Sequence, residues 1–125
     1  MYKFTAQEVI DAYERISPYL DRTPLAESLY LGDEERKYFF KLECYQPVKS
    51  FKIRGALNKM LTLTDEEKAR GVATVSSGNH GSSVAYAARI LGIEKADIII
   101  PGMAPQAKED LIRFYGGNEI GRVHV

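Results

Sequence analysis

From Gly71 onward the chain alternates short apolar runs with longer amphipathic ones, and this alternation restricts the fold more than any other feature of the sequence. "VATVSS" (72–77) reads as a strand, "HGSSVAYAARIL" (80–91) as a helix closed by Gly92, "ADIIIP" (96–101) as a strand, and "APQAKEDLIRFY" (104–115) as a helix closed by Gly116. Pro105 suits a first-turn position and Gly116 a left-handed C-terminal one. Short strands separated by helices of about a dozen residues need crossover connections, so neighbouring strands run parallel. The expected fold class is α/β, a parallel sheet with helices on both faces in βαβα order. The closing "GNEIGRVHV" (117–125) offers one more strand, weakened by Gly121. An α/β chain that stops on a strand, with no helix to cover it, reads as a fragment, although an edge strand ending a small complete domain would read similarly.

The first seventy residues are less regular. "TAQE" (5–8) is a capping box, with Val9, Ile10, Tyr13 and Ile16 following at helical spacing, so a first amphipathic helix ends near Ser17-Pro18. "DRTPLAESLYLGDEERK" (21–37) reads as irregular chain with a turn at Gly32-Asp33, and aromatic-rich "YFFKLE" (38–43) as the first convincing strand. A helix is expected from about Ser50 to Leu61. A second capping box, "TDEE" (64–67), starts a short helix that Gly71 can end.

At 125 residues the chain fits one domain. Its 17 basic and 17 acidic side chains cancel and are interspersed, which leaves no basic footprint for nucleic acid. Cys44 is the sole cysteine, and "MYKFTAQEVI" lacks the apolar run of a signal peptide, so a reducing, cytoplasmic location is expected. No apolar stretch approaches the roughly 20 residues that cross a bilayer, so no membrane association is expected.

In open parallel sheets, ligands bind outside the carboxyl ends of strands. Three such junctions are expected, at 44–52, 76–81 and 101–107. If their strands are parallel neighbours, Lys52 and "SSGNHG" (76–81) share one rim although roughly two dozen residues separate them. The second segment places Ser76, Ser77, Gly78, Asn79 and His80 at the start of a helix. Free backbone N–H groups there attract a carboxylate or phosphate, and glycine lets a ligand approach the backbone. Alternatively Ser77 or Asn79 merely caps the helix, with Gly78 allowing the turn. The third glycine of the GxGxxG dinucleotide fingerprint is missing.

Lys52, between Phe51 and Ile53, is either a solvated charge or a nucleophile. An amine must be neutral to attack a carbonyl, and at an ordinary pKa of about 10.4 roughly one lysine in a few thousand is neutral at pH 7. A helix N-terminus contributes only about 0.3–1 kcal/mol, whereas burial can shift a lysine by several units. A nucleophilic Lys52 therefore predicts burial, at which the apolar neighbours hint. His80 reads as polar shell within reach of a ligand. With His80 and His124 the only histidines and Cys44 the only cysteine, no metal site is expected.

Together "RTPL" (22–25), "KLECYQPVKSFKIRGA" (41–56), "SSGNHGSSVAYAA" (76–88) and "IPGMAPQAKEDLIRFYGG" (100–117) resemble the fold-type II pyridoxal-phosphate enzymes, most closely the threonine and serine dehydratases. The match covers nearly the whole chain. The resemblance implies that Lys52 forms the Schiff base with pyridoxal 5'-phosphate, that Phe51 lies beside the pyridine ring, and that Asn79 hydrogen-bonds the cofactor's 3-hydroxyl. It implies that Ser76, Ser77, Gly78, Asn79 and His80 grip the carboxylate of a small amino-acid substrate. The implied reaction removes water and ammonia from a β-hydroxy amino acid to leave a 2-oxo acid. Family members also carry, further downstream, a glycine-rich phosphate loop and a serine or cysteine at the pyridine nitrogen, neither of which has a counterpart here. Residues 1–43 then resemble the first helix and strand of an otherwise missing large domain, and 44–125 a small α/β domain. A homo-oligomer is implied for the full-length form. An amino-acid racemase or threonine synthase shares the same motifs, and a non-catalytic α/β binding module is the alternative of another class.

Overall fold

The computed structural model describes residues 4–76, 78–102 and 104–123, the last two by backbone alone. Helix α1 spans Ala6–Ile16. The Thr5 hydroxyl accepts from the Glu8 N–H at 3.2 Å while the Glu8 carboxylate accepts from the Thr5 N–H at 2.6 Å, the reciprocal pairing expected of "TAQE". Among its residues only Ile16 is buried. After a 3-10 turn at Ser17–Tyr19, strands β1 (Leu25–Gly32) and β2 (Lys37–Lys41) form an antiparallel pair, with Leu25 opposite Lys41 and Glu27 opposite Phe39. The turn between them lies where Gly32-Asp33 was expected. Gly32 adopts φ 119°, and the Asp33 carboxylate accepts from the N–H groups of Glu35 and Arg36.

Two expectations need correction here. Residues 25–32 are a strand rather than irregular chain. "LAESLYLG" mixes polar and apolar residues without clean alternation, and it is pairing with β2 rather than intrinsic preference that extends it. The strand in "YFFKLE" exists as β2, but its partner is β1, in a sheet separate from the parallel one. The condition under which Lys52 would share a rim with 76–81, namely parallel neighbouring strands, is therefore not met.

Beyond a 3-10 turn at Glu43–Tyr45 come α2 (Lys52–Leu61) and α3 (Asp65–Arg70), the latter opened by the Thr64/Glu67 capping box and ended by Gly71 at φ 87°. Then β3 (Val72–Val75), α4 (Asn79–Ile90), β4 (Ala96–Pro101), α5 (Gln106–Phe114) and β5 (Asn118–Val123) alternate as the sequence pattern requires. The three strands form one parallel sheet in the order β3-β4-β5, with Val72 opposite Ala96 and Asp97 opposite Asn118. The fold class is α/β. Ile98 of β4 and Ile112 of α5 are fully buried, as are Ile53 and Leu57 of α2. Each such side chain contributes about 1.5–3 kcal/mol through burial.

Helix α4 occupies the middle of this core, packed against α2, α5 and strands β3 and β4. Its sequence explains how it fits: Gly81, Ser82, Ser83, Ala85, Ala87 and Ala88 are all buried and small. The two buried hydroxyls are satisfied locally. Ser83 Oγ donates to the Asn79 carbonyl at 2.6 Å and Ser82 Oγ to the same oxygen at 3.3 Å. The first turn of α4 is thereby fixed to its own interior. Among the described residues no helix is long and apolar enough to cross a membrane.

Candidate functional site

Lys52 is the first residue of α2, and the Ser50 hydroxyl accepts from its backbone N–H at 3.3 Å. The loop before it is held from both sides. Val48 and Ser50 are buried, and the Pro47 carbonyl accepts from the Tyr115 hydroxyl at 2.9 Å. Between those buried residues, Lys49 adopts φ 57°, a left-handed conformation costing about 1–2 kcal/mol for a residue with a side chain.

The Lys52 side chain is exposed, and its Nζ lies 5.0 Å from the centroid of the Phe51 ring, itself 57% exposed. This corrects the expectation of burial. Successive helical residues point about 100° apart, so Ile53 enters the core while Lys52 faces outward. An apolar sequence neighbour was therefore no sign of an apolar surrounding.

In the second segment, the hydroxyl of Ser76 does the capping. It accepts from the Gly78 N–H at 3.2 Å and from the Gly81 N–H at 3.0 Å. Ser77 lies outside the described residues, as does His124. Gly78 is half-buried, and a Cβ placed on it would meet no atom within 4 Å. The turn is thus open where a ligand would need room. Asn79 and His80 are exposed, and the Asn79 side-chain carbonyl accepts from Lys108 Nζ at 2.6 Å.

A cavity of about 260 Å³ lies between α2, β3 and α4. Gly55 and Ala56 of α2, Thr74 of β3, and His80 and Val84 of α4 are among its walls. Gly55 lies one turn from Lys52 on the same helical face. Helix α2 packs directly on α4, although Lys52, Ser76, Gly78 and Asn79 are not among the walls of this cavity. A larger cavity of about 580 Å³ between α1 and α2 includes Phe51 but none of 76–81. It is lined by Glu43 and Arg54, which already satisfy each other.

Nothing in the sequence pattern pointed to that ion pair. Arg54 Nε and Nη2 each donate to a separate oxygen of Glu43 at 2.8 Å, and Thr23 Oγ1 donates to the same carboxylate at 2.7 Å. Chiefly through the Arg54 hydrogen bond, the Glu43 carboxyl is lowered from 4.5 to about 2. Lys41 Nζ donates to the Thr23 carbonyl at 2.5 Å. "RTPL" therefore braces the loop and helix that carry Lys52. Lys108 was also missed, since nothing in its spacing links it to Asn79, 29 residues away.

Residues 16–124 match the family model described as "Pyridoxal-phosphate dependent enzyme". The chain is 46% identical over 118 residues to a β-hydroxyaspartate dehydratase of Paracoccus denitrificans, covering 94% of this chain but 37% of that relative. It is 44% identical over 115 residues to a catabolic L-threonine dehydratase of Staphylococcus aureus, covering 90% of this chain and 33% of the relative. Among solved structures, maize serine racemase superposes with a TM-score of 0.90 at 42% identity, covering 99% of this chain and 38% of the other. The chain thus spans little more than a third of the length of these relatives. With a match running over all but the first fifteen residues and the final one, the chain belongs to the family of pyridoxal-phosphate-dependent enzymes.

Proposed function

We propose that this chain is the lysine-bearing part of a dehydratase that removes water and ammonia from a β-hydroxy amino acid, threonine or serine, to give a 2-oxo acid. The observation that carries the reading is the direct packing of the helix that begins at Lys52 on the helix that begins at the open Gly78-Asn79 turn. The residues fit pyridoxal 5'-phosphate: an exposed amine is free to bond to its aldehyde, and the empty space at Gly78 admits an anionic ligand against the backbone.

In this proposal Lys52 holds the cofactor covalently, Phe51 lies beside its ring, and Asn79 donates to its 3-oxygen. Ser76, Ser77, Gly78, Asn79 and His80 hold the substrate carboxylate and so orient the Cα–H bond. With its amine free, Lys52 would be the base that takes the Cα proton. When bound, the cofactor delocalises the charge left at Cα. Since Lys52 is exposed in this chain, the apolar cover that would favour its neutral form comes from the ligand and from the rest of the enzyme. We assign residues 1–43 to the large domain of that enzyme and 44–125 to its small domain.

Borohydride reduction of the native gene product followed by peptide mapping tests the assignment. The pyridoxyl group is expected on Lys52, and Lys52→Ala is expected to abolish 2-oxo acid formation from threonine and serine. A label on Lys49, or on no lysine of this segment, sinks it. The likeness to maize serine racemase favours a second reading, amino-acid racemisation. Chiral analysis of recovered serine separates the two: accumulation of the D-enantiomer without 2-oxo acid selects the racemase.

A further inference from the structure

The contact between Lys108 on α5 and Asn79 on α4 joins a side chain with no assigned role to one that the proposed function needs. Lysine carries only donors, so the atom of Asn79 that faces Lys108 Nζ at 2.6 Å is the carbonyl oxygen Oδ1. The amide is then oriented: its two N–H donors lie on the side away from the Lys108 ammonium. The backbone of the same residue is fixed as well, because Ser82 and Ser83 both donate to its carbonyl. Asn79 is therefore held at two points, its main chain by α4 and its side chain by α5.

We propose that Lys108 is a positioning residue that fixes the Asn79 amide with its donors turned toward the ligand, so that the site selects an oxygen acceptor bearing negative charge. The inference rests on the proposed function, in which that acceptor is the 3-oxygen of the cofactor. Lys108 acts in two ways. As a donor it prevents the amide from turning its own oxygen toward an anionic partner, which would be repulsive. As a cation beside the amide it polarises the N–H groups and strengthens their bond to an anion, since charge-assisted hydrogen bonds are roughly twice as strong as neutral ones. Lys108 lies within the first turn of α5, where its own N–H donates to the Pro105 carbonyl at 2.8 Å, so the position of the ammonium is set by a helix start rather than by a free loop.

The test uses two readouts on Lys108→Met, which keeps the stem and removes the donors, and on Lys108→Arg, which keeps a donor. In the 125-residue chain without cofactor, the side-chain amide ¹⁵N and ¹H resonances of Asn79 are expected to shift in Lys108→Met and to stay near the parent's in Lys108→Arg, with thermal melts unchanged. In the native gene product, Lys108→Met is expected to weaken cofactor retention about tenfold, the loss of roughly one charge-assisted hydrogen bond, and to move the visible absorption band of the bound cofactor. Lys108→Arg is expected to restore the band. Unshifted Asn79 resonances overturn the inference, as does a band identical in the parent and Lys108→Met while borohydride still labels Lys52 in both. Failure to label Lys52 in the parent itself overturns the functional reading and this inference together.

Discussion

Two glycines three residues apart in the 76–81 turn have opposite surroundings, and the difference separates packing from ligand approach. A Cβ on Gly81 would lie 3.0 Å from Ile98 Cγ2, 3.1 Å from Ile112 Cδ1 and 3.4 Å from Ser76 Cβ, all of them fixed in the core or in the cap. Gly81→Ala therefore forces the helix away from the sheet and is expected to lower stability by about 1–3 kcal/mol, read by urea denaturation. Gly78→Ala meets nothing within 4 Å and is expected to leave stability within about 0.5 kcal/mol of the parent. In the native gene product it should nevertheless raise the KM for the amino acid, because the methyl group takes the space through which a carboxylate reaches the backbone. If Gly78→Ala left the kinetics untouched, the open turn would be a helix start and nothing more. Both glycines were visible in the sequence, but a spacing of three does not say which one faces the sheet.

At the scale of elements, the Thr23, Glu43 and Arg54 network joins the segment before β1, the turn after β2 and the start of α2, and it makes stability depend on pH. Glu43 titrates at about 2 instead of 4.5. A depressed carboxyl contributes stability that is fully present above its ordinary value and is lost as the pH falls from about 4.5 toward about 2. With the pair only partly exposed, the contribution is on the order of 2–3 kcal/mol. Glu43→Gln is expected to be less stable than the parent at neutral pH and to lose less on acidification, so that the two denaturation free energies converge near pH 2. A constant difference across that range would refute the role. The network was not legible because its members stand 11 and 20 residues apart and obey no local period. The helices were legible for the contrary reason. Thr5 with Glu8 and Thr64 with Glu67 are three-residue signals, and Gly71 and Gly116 mark their ends by adopting φ 87° and 85°. Strand β1 was not, since it exists by pairing, and the outward direction of Lys52 required knowing where its helix begins.

For the molecule as a whole, the parallel sheet and α4 form a filled core, whereas the N-terminal region leaves apolar surface uncovered. Leu29 and Tyr30 of β1 are 91% and 95% exposed, Phe39 and Phe40 of β2 are half-exposed, and Phe4 before α1 and Val9, Ile10 and Tyr13 on it are exposed as well. Large apolar side chains left exposed in this way mark an interface, and relatives about two and a half times as long have further chain with which to cover such a face. Catalysis needs the same material. In the proposed function the amine and an anion-binding turn lie within this chain, whereas the phosphate loop and the partner of the ring nitrogen that the resemblance implies have no counterpart in these 125 residues. Positioning and preorganised electrostatics supply most of an enzyme's rate, so half a site gives little of it. The isolated 125-residue chain is therefore expected to self-associate in sedimentation velocity as its concentration rises, and to show no sustained turnover in a coupled assay for 2-oxobutanoate from threonine with excess pyridoxal phosphate. Charged substitutions at Leu29 and Tyr30 should shift it toward the monomer without changing its core stability, because neither side chain is packed. Sustained turnover that disappears in Lys52→Ala would show instead that the downstream residues are dispensable, and would relocate the phosphate and ring-nitrogen contacts to the 125 residues themselves.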